Sequence, residues 1–400
     1  MPERFRPSLR PSRLLGGSIA CAAAVLGLLA ACKRPAPDQH PPPAVLAAST
    51  DMARVDPAGT ASPSGTPSAS ASPSGTPTAA PSASAASGPP RFDAELDVST
   101  FQKGNIHTHT TWSDGDHPPQ DVYGWYRDHG YNFLAITDHN SLTDPAVFRL
   151  LERKKRFVMI TGEEVTMWGA GKQVHVNAIC HSRTIGGKKF DTQREALTWG
   201  VAQVRAQGGV ALVNHPNWDW ALVADDLPSA HGAQLLEIAS GHPYVHTLGD
   251  ETHLSHEAIW DWTLTHGETF AAAAVDDAHA YSPRAPDNAA RPGRAWIQVF
   301  APEPTKQAIC EALGAGKLYA STGVTLKRIV VKDDTYAVYP AERSAKVTFV
   351  GKAGAVLQEG KAGDDGAARY KLKGGEGYVR ARITNDAGKH AWTQASHVIG

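Results

Sequence analysis

Two histidines one residue apart, His107 and His109, open a series of nine side chains suited to metal chemistry: His107, His109, Asp114, His139, Glu164, His175, His215, Asp277 and His279. Side chains two apart on an extended strand project to the same face, so His107 and His109 can grip one ion. Asp277 and His279 repeat that spacing. Several of the others follow directly on short apolar runs: 133–137 leads into Asp138-His139, 157–160 into Gly162-Glu163-Glu164, 210–213 into Asn214-His215, and 270–275 into Asp276-Asp277. Imidazole with carboxylate is a borderline donor set that suits zinc, manganese or iron, and not calcium or copper(I). Nine donors exceed what one ion with an open position needs, and match two or three divalent ions with a bridging carboxylate. The chemistry expected of such a centre is hydrolysis, with metal-bound hydroxide attacking phosphorus or a carbonyl carbon and an ion stabilising the oxyanion. Residue types alone leave Glu163 and Glu164 as equal candidates, and assign no general acid.

The elements that must position these groups alternate. Helical periodicity is expected at 119–130, 145–155, 195–207, 258–265 and 305–313. Between them lie short apolar strands at 133–137, 157–160, 174–179, 210–213, 235–239, 270–275 and 295–300. Continuous apolar strands alternating with helices argue for a parallel α/β domain. Ligand-type residues at so many strand ends select a β/α barrel, whose site gathers there, over an open sheet with one switch point. Beyond residue 321, stretches such as LKRIVV, AKVTFV and YVRARIT alternate between Gly and Asp turns, which predicts a small C-terminal antiparallel, sandwich-like β module used for packing or docking.

The motifs HTHTTWSDG, AITDHN, GEEVT, QVHVNAI, VNHP and DDAH, in this order, resemble those of the PHP (polymerase and histidinol phosphatase) family. More narrowly the chain is similar to PHP metallohydrolases of the carbaryl-hydrolase type, which also tend to be exported. The resemblance covers about 104–300, and the terminal YVRARITNDAGKHAWTQ resembles the tail of those proteins. It implies a distorted (β/α)7 barrel with a di- or trinuclear centre. By that resemblance His107, His109, Glu164 and Asp277 hold the first ion, and Asp114, His139 and His279 the second. Glu164 would join His175 and His215 at a third. The family pattern also selects Glu164 over Glu163, and Asp277 over Asp276.

The address is written in the first hundred residues. Arg4, Arg6, Arg10 and Arg13 precede a small apolar stretch, 14–31, that ends in Leu29-Ala30-Ala31-Cys32. This has the form of a lipoprotein export signal, 1–32, with Cys32 as the lipidated residue. Lys33 follows the cysteine, which favours outer-membrane sorting in a Gram-negative host, on the periplasmic or surface face. Residues 33–90 are Pro/Ala/Ser-rich and cannot bury enough apolar surface to order themselves, so they read as a tether. The barrel is then expected over 91–320 and the β module over 321–400. A formal net charge of −1 gives no support to nucleic-acid binding. Of four cysteines, Cys180 and Cys310 remain in the folded part, as a disulfide or as two thiols.

The function expected is a lipid-anchored, metal-dependent hydrolase that cleaves a small phosphoester. The alternatives are a carboxyl-ester or carbamate hydrolase with the same centre, and a non-enzymatic metal- or ligand-binding lipoprotein. A cationic pocket would favour phosphate and an aromatic, charge-poor one a carbonyl ester. Arg183, Lys172 and Arg291 are the cations available to an anionic substrate, Trp218 and Trp220 the aromatic candidates, and His242 the foremost of the remaining histidines. Oligomeric state is not legible.

Overall fold

The computed structural model describes residues 89–148 and 157–399. The signal 1–32 with Cys32, nearly all of the tether 33–90, and the expected helix beyond Phe148 lie outside these residues; Pro145–Phe148 form one 3-10 turn. Among the described residues no helix is long and apolar enough to cross a membrane.

The molecule is mixed α/β. Strands β1 (Gln102–Asn105), β2 (Phe133–Ala135) and β3 (Val158–Ile160) pair in parallel. Their neighbour β4 (Gly162–Gly169) instead turns back into β5 (Lys172–Ile179) as an antiparallel hairpin. The two-residue turn, Ala170 at φ 47° and Gly171 at φ 83°, is of the kind that joins antiparallel strands only. This corrects the expected wholly parallel arrangement. β5 pairs antiparallel with β6 (Val210–Val213), and β7 (Leu235–Ser240) and β8 (Ala271–Val275) then continue in parallel. The two sheets are linked by single bridges at Thr108–Ala278 and His139–Glu164, which places four motif segments side by side.

Helices cover the outer faces. α1 (Pro119–Asp128) starts with proline at its first position and buries Val122, Tyr123 and Tyr126. α2 (Gln193–Ala206) begins at a capping box, Thr192 with Glu195, and Gly208 at φ 69° follows its end. Its apolar face, Ala196, Leu197, Val201 and Val204, packs with Val165, Met167, Val174 and Val176 of the hairpin. Gly200 lets the helix approach so closely that a Cβ there would sit 2.6 Å from the Met167 methyl.

The antiparallel strands expected after 321 are present and continuous with the first sheet. β9 (Trp296–Val299) pairs with β1, β10 (Leu318–Ser321) pairs with β9, and His390–Thr393 pairs with β10. Two early segments also join this end: Arg91–Phe92 pairs with Ser396–Ile399, and Leu96–Val98 with Leu326–Lys332. Cys180, just past β5, is bonded to Cys310 on α4 (Lys306–Gly314), closing a separation of 130 residues.

A buried ion cluster fastens α3 (His256–Thr265) to the C-terminal strand Tyr378–Thr384. The Arg380 guanidinium, 1% exposed, donates from Nε to Asp261 at 2.8 Å and from Nη2 to Asp261 at 2.6 Å and Glu257 at 2.8 Å. It also lies 4.8 Å from the centre of the Trp260 ring. Truncating one member of such a cluster strands the others without compensation. Arg380→Met is therefore expected to cost about 3 kcal/mol, read as a shifted urea midpoint. Burial pushes the Glu257 carboxyl up, but Arg380 and Arg382 hold it below its ordinary value. Its contribution is thus present above the unfolded carboxylate range and is lost as pH falls through the depressed folded value.

Candidate metal centre

Each motif segment enters the site from a fixed element. β1 ends at Asn105, and its extension carries His107 and His109 on one side, as alternation requires. The Asn105 side chain accepts from His107 N–H at 3.1 Å and donates to Asp276 at 2.8 Å and to Ala295 O at 3.0 Å. Asp276 in turn accepts from the backbone of Gly293, Arg294 and Ala295, so it holds the returning loop and leaves Asp277 to face the histidines. Burial raises its carboxyl to about 6. Asp277 itself sits at φ 47°, a left-handed conformation that Asp tolerates better than most residues.

The adjacent carboxylates of β4 divide their work by strand alternation. Glu163 accepts from the Ile185 and Gly186 amides and lies 3.1 Å from His181, which ties down the 181–187 loop. Glu164, on the opposite face, meets five imidazoles. His175 Nδ1 is at 2.9 Å, His109 Nε2 at 3.1 Å, His139 Nδ1 at 3.2 Å, His107 Nε2 at 3.3 Å and His215 Nε2 at 3.4 Å. Asn214 donates to it at 2.7 Å. Asp277 Oδ1 stands 3.3 Å from both His107 Nε2 and His109 Nε2. At the rim Asp114, half-exposed, lies 3.4 Å from His109 and His279 and 3.6 Å from His139. All nine candidate residues therefore converge.

Most of the cluster is buried, and several of its donors are left without partners. His107, His109, Glu164, His175, His215 and Asp277 are all buried. His107 Nε2, His109 Nε2 and both His175 ring nitrogens have no hydrogen-bond partner. A tetrahedral ion with bonds of about 2.0–2.1 Å has ligand-to-ligand edges of about 3.3 Å, the spacing found here, so the donor set fits divalent ions. Local groupings follow: His107, His109 and Glu164; His109, Asp114, His139 and His279; His139, Glu164 and His175. His215 groups with His107 and Glu237 as well, while His175 and His215 both lie against Glu164 Oε1, at 2.9 and 3.4 Å. Burial alone would drive Glu164 up; His175, His107 and His139 pull it well below the carboxylate range. Burial lowers His175 to about 4, against the opposing pull of Glu164.

Sequence reading missed the supporting side chains Asn105 and Asn214 and two carboxylates, Asp138 and Glu237. Asp138 accepts from Thr110 N–H, Thr110 Oγ1 and Ser113 Oγ at 2.6–2.8 Å, which fixes the loop bearing Asp114. Glu237 lies in the apolar run Leu235–Ala239, where a lone acid amid aliphatics was the available signal.

The centre floors a cavity of about 420 Å³ whose other lining residues are Thr166, Gln173, Trp218 and His242. Trp218 donates to Gln173 at 3.3 Å and meets His242 edge-on, with ring centres 5.6 Å apart. None of the three expected cations lines it. Lys172 spends its ammonium on the carbonyls of Asp219 and Trp220, Arg291 bonds the carbonyls of Ser282 and Ala285, and Arg183 is exposed on a loop. Trp220 stacks between His246 and His253 instead.

No family model matches the chain and no curated protein matches it. Among solved structures it is similar to a Bacteroides vulgatus two-domain protein described as containing a PHP-like metal-dependent phosphoesterase. That match has 18% identity and a TM-score of 0.43, over 74% of this chain and 92% of that one. A Bifidobacterium adolescentis protein described as a metal-dependent phosphoesterase gives 14% and 0.36, over 46% and 91%. A Chromobacterium violaceum amidohydrolase with bound sulfate and no metal gives 17% and 0.34, over 47% and 93%.

Proposed function

We propose that this chain is a metal-dependent hydrolase of the PHP type, its strands forming a distorted seven-stranded barrel around the centre. The observation that carries the reading is the convergence of nine buried or rim donors at ligand-edge spacing, with His107 Nε2, His109 Nε2 and both His175 ring nitrogens unpartnered. His107, His109, Glu164 and Asp277 would hold one ion, and Asp114, His139 and His279 a second. Glu164 with His175 and His215 would serve a third. Divalent ions, zinc, manganese or iron, supply Lewis-acid polarisation of the scissile group and acidify water. The protein's own part is to hold the donors rigid through Asn105, Asp138, Asp276 and Asn214, and to wall the site from bulk water.

Phosphoester cleavage is the first reading of the motifs, but the cavity lining supports a carboxyl or carbamic ester. Outside the ion-facing donors it offers neutral and aromatic groups and no lysine or arginine. Elemental analysis of the metal-loaded protein is expected to give two or three ions per chain. It should also hydrolyse p-nitrophenyl acetate in preference to p-nitrophenyl phosphate. Trp218→Ala should raise KM about tenfold for an aryl ester while sparing a methyl ester, since aromatic contact is what it removes. The reverse preference would restore the phosphoester reading; fewer than one ion and no turnover would leave only a binding role.

The signal-like segment 1–32, ending in a lipobox-like Leu29-Ala30-Ala31-Cys32, supports the reading of an exported, lipid-anchored protein with a small-molecule substrate. The Cys180–Cys310 bond fits the same address, because disulfides persist in oxidising compartments.

A further inference from the structure

Glu237 is a fully buried carboxylate at the centre of β7, held in register with Ala273 of β8. Its Oε2 lies 3.2 Å from His107 Nδ1 in hydrogen-bond geometry, while its Oε1 has no partner. On the opposite edge of that ring, Nε2 is 3.3 Å from both Glu164 and Asp277 yet makes no hydrogen bond to either. An imidazole that ligates an ion carries one N–H and gives its one lone pair to the metal, and a carboxylate takes the N–H because it has nothing to donate. The proton therefore belongs on Nδ1 and the lone pair on Nε2.

We propose that Glu237 is a positioning residue for the metal centre, fixing His107 in the Nδ1–H form so that Nε2 presents its lone pair to the ion shared with His109, Glu164 and Asp277. The proposal rests on the metal-centre reading above. Carboxylate–imidazole–metal relays of this kind set ring orientation and raise ligand basicity. The competing role, Glu237 as a ligand beside His107 and His215, is allowed by their spacing. It would require the Nδ1 lone pair to face Glu237, and would leave an Nε2–H poorly aimed at the two carboxylates.

The test uses the whole chain with Glu237→Leu and Glu237→Gln, zinc competition against a chromophoric chelator, and long-range proton–nitrogen spectra of His107. Glu237→Leu is expected to weaken zinc binding about 10- to 100-fold. Glu237→Gln should stay within about threefold of the wild type, because its amide oxygen still accepts Nδ1–H. Spectra of the zinc-loaded protein should show His107 protonated on Nδ1 alone. Loss of one whole zinc equivalent in Glu237→Gln, an Nε2–H tautomer, or unimpaired binding in Glu237→Leu overturns the proposal. If the leucine variant fails to fold, the glutamine variant and the spectra decide. Wild-type protein that binds no zinc overturns the metal-centre reading and takes this proposal with it.

Discussion

Asp277→Ala should lower kcat/KM by about 10³-fold or more and reduce bound metal, because one carboxylate serves several imidazoles at once. Its Oδ1 is 3.3 Å from both His107 and His109 and 3.7 Å from His279. Removing it takes away a donor and a compensating charge where burial leaves little solvent to substitute. The backbone adds a second consideration: at φ 47° alanine is more strained than aspartate. Asp277→Asn is therefore the companion variant, since it keeps the tolerated conformation and one oxygen donor. It should fold as the wild type does and still lose most activity. Elemental analysis beside steady-state rates checks both. An alanine variant with full metal content and an unchanged rate would remove Asp277 from the centre.

Reducing the Cys180–Cys310 bond, or replacing Cys310 with alanine, is expected to cost about 3–5 kcal/mol of stability. A bridge spanning 130 residues removes much of the unfolded chain's freedom. It also ties the end of β5, beside the Glu163–His181 contact, to α4. Urea midpoints with and without reductant measure the effect. An unchanged midpoint would mean that the two sulfurs contribute nothing once the fold has formed.

Much of the site was legible because metal ligation demands residue types that are rare in apolar strands and spacings that geometry restricts. His107 and His109 read as a same-face pair, and runs such as 210–213 and 270–275 read as strands, which the structure buries at Val210–Val213 and Ala271–Val275. What failed to read was partner choice. Within 162–179 the sequence reads as the single strand 174–179; the strand Gly162–Gly169 and its antiparallel return went unread, because they depend on the turn at Ala170-Gly171, where the left-handed backbone reverses the chain. Glu163 and Glu164 are indistinguishable by composition, and only the strand's two faces separate loop anchor from ion-facing donor. Glu237 stayed hidden inside an apolar pattern that periodicity assigns wholly to core. Arg183, Lys172 and Arg291 looked available for substrate because sequence does not show which carbonyls a cation will meet.

The pairing of 91–98 with strands near residues 329 and 398 has a kinetic consequence. Sheet partners separated by more than two hundred residues give the chain a high contact order, so these pairings form late and slowly. The strands that flank the first ligand segment cannot find their places until the last have been made and delivered. A chain in that condition exposes unpaired strand edges, which makes the interval between synthesis and sheet completion the period of greatest aggregation risk.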